Sequence, residues 1–322
     1  MRVAKGWWKF LLLAIVVILL GMWGYQLIAV RGTFAPSRPA STAGGSALLV
    51  GTPNHRIAGR VYITETLAPA LTGTLAPALT GTPDPAAPLV VVLHGDAPFV
   101  NPRYQYGFAS DVAKAAPGTR VAALLRPGYA DPYGAKSDGD RGFASGENYT
   151  PEVINDVAAA IQDLKSQWGA SAVILVGHSG GAAVAADVAA LHPGLVQHVF
   201  LVGCPCDVPA FRQHMASAQW APLWLLPVHS LSPLQTLDQM QRGTEITAIS
   251  GANDPITLPE FAQAYIAKAK GQGILASMIQ IPGKGHEILN EPEVVGEVAK
   301  AARGYRATGG DTGGKSSAPA SN

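Results

Sequence analysis

The pentapeptide Gly177-His178-Ser179-Gly180-Gly181 follows an apolar run, Ala172 to Val176, and precedes an alanine-rich stretch. Glycines around a serine at a strand-to-helix turn let the backbone hold that serine in a strained conformation with its hydroxyl exposed. A serine hydroxyl is a poor nucleophile near neutral pH, so it needs a base within hydrogen-bond reach and an acid to orient that base. Both residue types follow downstream, Asp254 within GANDPI at 251–256 and His286 within GKGHE at 283–287. Such a set could attack a carbonyl, the proton passing from Ser179 to His286 while Asp254 holds the imidazole. Asp207 is the rival acid, since it follows the strand after the serine; the Gly-x-x-Asp context of Asp254 favours the latter. His94 and His178 flank the motif positions. The other histidines, 55, 192, 198, 214 and 229, show no metal-ligand spacing and read as surface or partly buried residues.

These side chains need a frame that brings them together. Continuous apolar runs at Leu89–Leu93, Val121–Leu125, Ala172–Val176 and Val199–Val202 read as strands buried on both faces, and with the further candidate strands Glu245–Ile249 and Ile274–Ile281 they stop at glycine or proline, or just before them. Between them, helices are predicted at Tyr104–Ala116, Pro151–Trp168, Gly180–Leu191, Leu258–Lys270 and Glu291–Arg303. The clearest has Thr150 as N-cap and Pro151 at N1. This alternation predicts an α/β fold with a mostly parallel, doubly wound sheet, whose ligands bind beyond the carboxyl ends of the strands. Residues 207–243 are long for a crossover and contain WAPLWLLP, so a small cap over the site is expected there. Cys204-Pro205-Cys206 is expected as two packed thiols, with a disulfide as the alternative because the ring would be tight. The octapeptide TLAPALTG occurs twice in tandem from Thr66 to Gly81 and reads as an exposed connection.

The chain has 322 residues, 48% of them hydrophobic and 14% charged, with a net charge of +1. That balance supports a sizeable core and offers no field to hold a polyanion, so nucleic-acid binding is not expected. The expected organisation is a basic cytoplasmic segment at 1–9, a transmembrane anchor at 10–30 and a flexible linker at 31–45. The catalytic-type domain follows at 46–304 and a disordered tail at 305–322. No charge falls between Phe10 and Val30, and Arg2, Lys5 and Lys9 precede that run. The positive-inside rule then places the domain on the outer, periplasmic side of the membrane. A cleaved signal peptide and a secreted domain are the alternative.

Through HGD at 94–96, RPGY at 126–129, GHSGG, GANDPI and GKGHE, residues 46–304 resemble the α/β-hydrolase superfamily, and within it the small bacterial esterases and prolyl-oligopeptidase-like members. The resemblance implies Ser179 as nucleophile, His286 as general base and then acid, and Asp254 as the orienting carboxylate. It also implies an oxyanion hole built from the backbone N–H groups of Asp96 and Gly180. Many relatives carry glycine or an apolar residue where Asp96 stands. A carboxylate there opposes a developing oxyanion unless it is paired; packing into the loop network is expected, with a bound substrate ammonium as the alternative. The expected activity is cleavage of an ester or amide of a small substrate through an acyl-enzyme, without cofactor or metal. An aminopeptidase-like or prolyl-oligopeptidase-like peptidase, and a non-catalytic binding protein on the same fold, are the alternatives.

Overall fold

The computed structural model describes residues 7–30, 43–64, 87–97, 100–142, 147–218, 224 and 226–309. The tandem octapeptide, the linker from 31 to 42, the tail beyond 309 and most of WAPLWLLP lie outside the described residues.

Leu89–Leu93 (β3) shows why the strands read as unbroken apolar runs. Leu89, Val91 and Leu93 enter one core cluster, and Val90 and Val92 enter the other. Successive side chains point to opposite faces of the sheet, and both faces are covered. Arg120–Leu124 (β4), Val173–His178 (β5), His198–Val202 (β6), Glu245–Gly251 (β7) and Ala276–Ile281 (β8) join β3 in parallel. Two further strands, Ser46–Thr52 (β1) and His55–Ile63 (β2), form an antiparallel hairpin, and β2 pairs with β4. The order is β1-β2-β4-β3-β5-β6-β7-β8. Chain order reverses beside β3, which opens a crevice at the carboxyl ends of β3 and β5.

Trp7–Val30 forms a helix (α1). Among the described residues no helix is long and apolar enough to cross a membrane. The transmembrane anchor expected over 10–30 is therefore not supported.

The remaining helices cover the sheet: Tyr104–Ala115 (α2), Pro151–Trp168 (α3), Gly180–Leu191 (α4), Val208–Ala218 (α5), Pro233–Thr236 (α6), Pro259–Gly271 (α7) and Pro292–Gly309 (α8). α3 begins where its signals place it: the Thr150 side chain accepts from the Val153 N–H, and Gly169 closes the helix at φ 59°. The segment expected as a cap divides in two. α5 presents Phe211 and Met215 to the cleft described below. α6 instead packs on the core, where Leu237 behind it is fully buried. Cys204 and Cys206 are joined, which corrects the expectation of two thiols. The turn at the end of β6 brings their Cα atoms to 5.1 Å, inside the ordinary disulfide range.

Asp187, on the buried face of α4, has no exposed surface. Its Oδ1 accepts from Thr236 Oγ1 at 2.6 Å, and Oδ2 has no partner among the described residues. Burial pushes its pKa up to about 7. Between about pH 4 and 7 the unfolded chain ionises this group while the folded chain keeps the proton, so its contribution to stability falls as pH rises through that window. Asp187→Asn removes the titration and keeps an acceptor for Thr236. The variant is expected to gain up to ~4 kcal/mol over the parent on going from pH 4 to pH 8, read from urea unfolding at both values. Parallel pH profiles for the two proteins would exclude this.

Candidate active site

Ser179 stands between β5 and α4 with φ 54° and ψ −126°, a conformation that a non-glycine residue holds only when its surroundings enforce it. Its N–H donates to the Val202 carbonyl (2.8 Å), and its own carbonyl accepts from Ala182 N (2.8 Å), so β6 and α4 hold the turn. Glycine is required at 95, where a Cβ would lie 2.8 Å from Ser179 Cβ. At Gly180 a Cβ would collide with the Asp96 carboxylate.

His286, after β8, donates from Nδ1 to Asp254 Oδ2 at 2.9 Å. Asp254, after β7, accepts on Oδ1 from the Ile256 and Thr257 N–H groups (2.8 and 3.0 Å) and on Oδ2 from Thr257 Oγ1 (2.6 Å). Burial alone would raise the Asp254 pKa; the His286, Thr257 and Ile256 donors outweigh it and hold the carboxyl below its usual value. Thr257 Oγ1 is also 3.0 Å from His286 Nδ1, so the threonine braces both members of the pair. Its place in the sequence carries no mark of this role: the Asx-type turn is closed by the Ile256 N–H, two residues after Asp254, and Thr257 stands one residue beyond. Asp207 is placed elsewhere. Its Oδ1 and carbonyl accept from Ala210 and Phe211 N–H groups at the start of α5.

Ser179 and His286 line one cleft of about 520 Å³, with Asp96 and Tyr104 on one side and Phe211 and Trp224 among its apolar lining. A second cleft, about 590 Å³, lies between β6–β8 and α8, beside His198, Glu245 and Ser277. The strained serine and the carboxylate-bound imidazole are both in the first. His198 is itself buried, more fully than the surface or partly buried place expected, and burial takes its pKa down to about 4. His55, Glu152 and Asp156 are close enough to share an ion, His55 being hydrogen-bonded to Asp156 at 3.0 Å, but none of them lines the cleft.

Asp96 is paired. Its Oδ1 accepts from Arg126 Nη1 (2.7 Å) and its Oδ2 from the Tyr149 hydroxyl (2.5 Å). Burial raises its pKa, and the guanidinium and phenol pull it back. The carboxylate is thus held in the loop network, the packing expected for it. Arg126 is 1% exposed and its guanidinium lies 5.4 and 5.5 Å from the Tyr129 and Tyr149 ring centres.

His94 decides which way the Asp96 amide points. Its Nε2 accepts from the Arg126 N–H (3.0 Å), so its proton is on Nδ1 and is donated to the Gly95 carbonyl (2.7 Å). Burial lowers its pKa to about 3, consistent with a neutral ring. The Gly95 carbonyl and the Asp96 N–H belong to one planar trans peptide and point in opposite directions, so fixing one fixes the other. Among the described residues neither the Asp96 nor the Gly180 N–H has a protein partner.

The family model for serine aminopeptidases of the S33 group matches residues 84–248, about half of the chain. The chain belongs to this α/β-hydrolase family. The S33 match runs from before β3 to within β7, and so includes Asp96 and the Ser179 turn. Among solved structures, the chain is similar to the Pyrococcus furiosus esterase Pf2001, with 14% identity, a TM-score of 0.58, and 84% of this chain and 97% of that one covered. It is also similar to Est1E from Butyrivibrio proteoclasticus (11%, 0.53, 82% and 99%) and to the proline iminopeptidase of Mycobacterium smegmatis (14%, 0.54, 82% and 99%). At these identities the likeness is one of fold. No curated protein matches the chain.

Proposed function

We propose that this S33-family hydrolase cleaves an ester or amide bond of a small substrate through an acyl-enzyme, in the manner of a carboxylesterase. The observation that carries the proposal is the His286 Nδ1 to Asp254 Oδ2 hydrogen bond of 2.9 Å in a cleft shared with the strained Ser179. Asp254 holds the proton on Nδ1, which leaves Nε2 as the basic nitrogen. Ser179 Oγ attacks the substrate carbonyl as His286 Nε2 takes its proton. The Asp96 and Gly180 N–H groups receive the resulting oxyanion, aided by the positive end of α4. Collapse of the tetrahedral intermediate expels the alcohol or amine, protonated by His286, and water repeats the sequence on the acyl-enzyme.

A peptidase reading is favoured by one further observation. Glu287 is exposed and lines the cleft beside His286, where it could receive a substrate ammonium. An oxidising location outside the cytoplasm is supported by the Cys204–Cys206 disulfide and by the basic start followed by an apolar helix.

The purified protein is expected to be labelled by a fluorophosphonate on the peptide that contains Ser179. It should turn over short acyl esters faster than aminoacyl amides if the esterase reading holds, and slower if the peptidase reading does. A protein that takes no label and hydrolyses neither class would reject the proposal.

A further inference from the structure

The two sides of the cleft are joined behind Ser179 by side chains that the reaction itself does not use. The Gly95 N–H donates to the Tyr104 hydroxyl (2.6 Å), and Tyr104 Oη is 2.9 Å from His178 Nδ1. His178 Nε2 is 3.1 Å from the His286 carbonyl oxygen. Both ends are main-chain groups with fixed roles, since an amide N–H only donates and a carbonyl only accepts. Every proton between them is therefore assigned. Tyr104 accepts from Gly95 and donates to Nδ1, and His178 carries its hydrogen on Nε2 and donates it to His286. His178 is 2% exposed, and burial together with the neighbouring His286 lowers its pKa to about 4, so the neutral ring that this order requires is the form present near neutrality.

We propose that Tyr104 and His178 are positioning residues, which tie the His94–Gly95 peptide, next to the oxyanion-side amide of Asp96, to the backbone of His286 through one directed hydrogen-bond chain. This rests on the hydrolase reading given above. The chain ends one residue before the Asp96 amide on one side and on the main-chain carbonyl of the base on the other. The donor for the oxyanion and the acceptor of the serine proton therefore keep a fixed separation. The alternation of roles also explains why a histidine suits position 178: its two nitrogens, one accepting and one donating, face opposite neighbours.

The test is Tyr104→Phe in the full chain, which keeps the ring and removes only the link. With a p-nitrophenyl acyl ester, kcat is expected to fall about 10- to 100-fold, the scale of a small misalignment of reacting groups, while KM changes far less. A KM increase with kcat unchanged, or wild-type kinetics in a folded variant, would overturn the proposal. Because the two side chains act in series, Tyr104→Phe combined with His178→Ala should be no slower than the slower single variant; additive losses would overturn it. Absence of ester turnover in the parent would instead reject the hydrolase reading, and the chain is then judged without catalysis. In a Ser179→Ala background, Tyr104→Phe should shift the amide ¹H–¹⁵N resonances of both Asp96 and Glu287. A change confined to the Gly95–Asp96 side would rule out the connection.

Discussion

Ser179→Ala is expected to lower ester turnover by about a millionfold, the loss seen when the attacking atom of a cooperating set is removed, with the circular-dichroism spectrum and unfolding midpoint unchanged. Asp254→Asn should cost about ten-thousandfold, because an amide at this position favours the wrong tautomer of His286 without disturbing the surrounding turn. The turn has its own support, since the Ile256 and Thr257 N–H groups can still donate to the remaining oxygen. Turnover retained in Ser179→Ala would move the nucleophile elsewhere. Retention in Asp254→Asn alone would leave Ser179 in place and give the orienting role to another group, for which Thr257 is the nearest neighbour.

Arg126→Met is expected to destabilise the folded chain by about 3–5 kcal/mol, since it leaves the Asp96 carboxylate largely buried with Tyr149 as its remaining side-chain donor. Without the guanidinium the carboxyl pKa rises further. The group then stays protonated in the folded state over a range where it ionises in the unfolded one, so the defect deepens as pH rises above about 4. Adding Asp96→Asn to Arg126→Met should restore much of the loss at pH 8, because the neutral amide needs no counter-charge. Urea unfolding of the parent, both single variants and the double variant gives the coupling directly, and additive losses would show that the pair acts independently. Activity should follow the same pattern, since Asp96 packs on Gly180 and its amide is one of the two proposed to receive the oxyanion.

The elements around the chemistry were legible where local chemistry and burial agree. Pro151–Trp168 announces itself through a threonine cap, a proline at N1 and a glycine after the last turn. Leu89–Leu93 does so because a strand covered on both faces must be apolar at every position. The β1–β2 hairpin was missed. Its strands are interrupted by Gly51, Gly59 and two arginines, and Gly59 is demanded by a neighbour distant in sequence, the Ala123 carbonyl, which a Cβ would strike. The order of Ser179, Asp254 and His286 could be read from motifs that end strands. The Asp96–Arg126–Tyr149 cluster, Thr257 and the Tyr104–His178 chain could not, because each depends on side chains that meet only after the sheet has assembled. The apolar N-terminal run was legible as a helix, and the described residues do not support the membrane span expected of it.

The antiparallel hairpin has a practical consequence for anyone shortening this chain. β2 occupies the free side of β4, so a fragment starting after Ile63 would present β4 with a row of unsatisfied main-chain donors and acceptors, the kind of border along which separate molecules join and precipitate. A piece that keeps β4 covered therefore begins no later than His55, well upstream of Asp96 and the cleft.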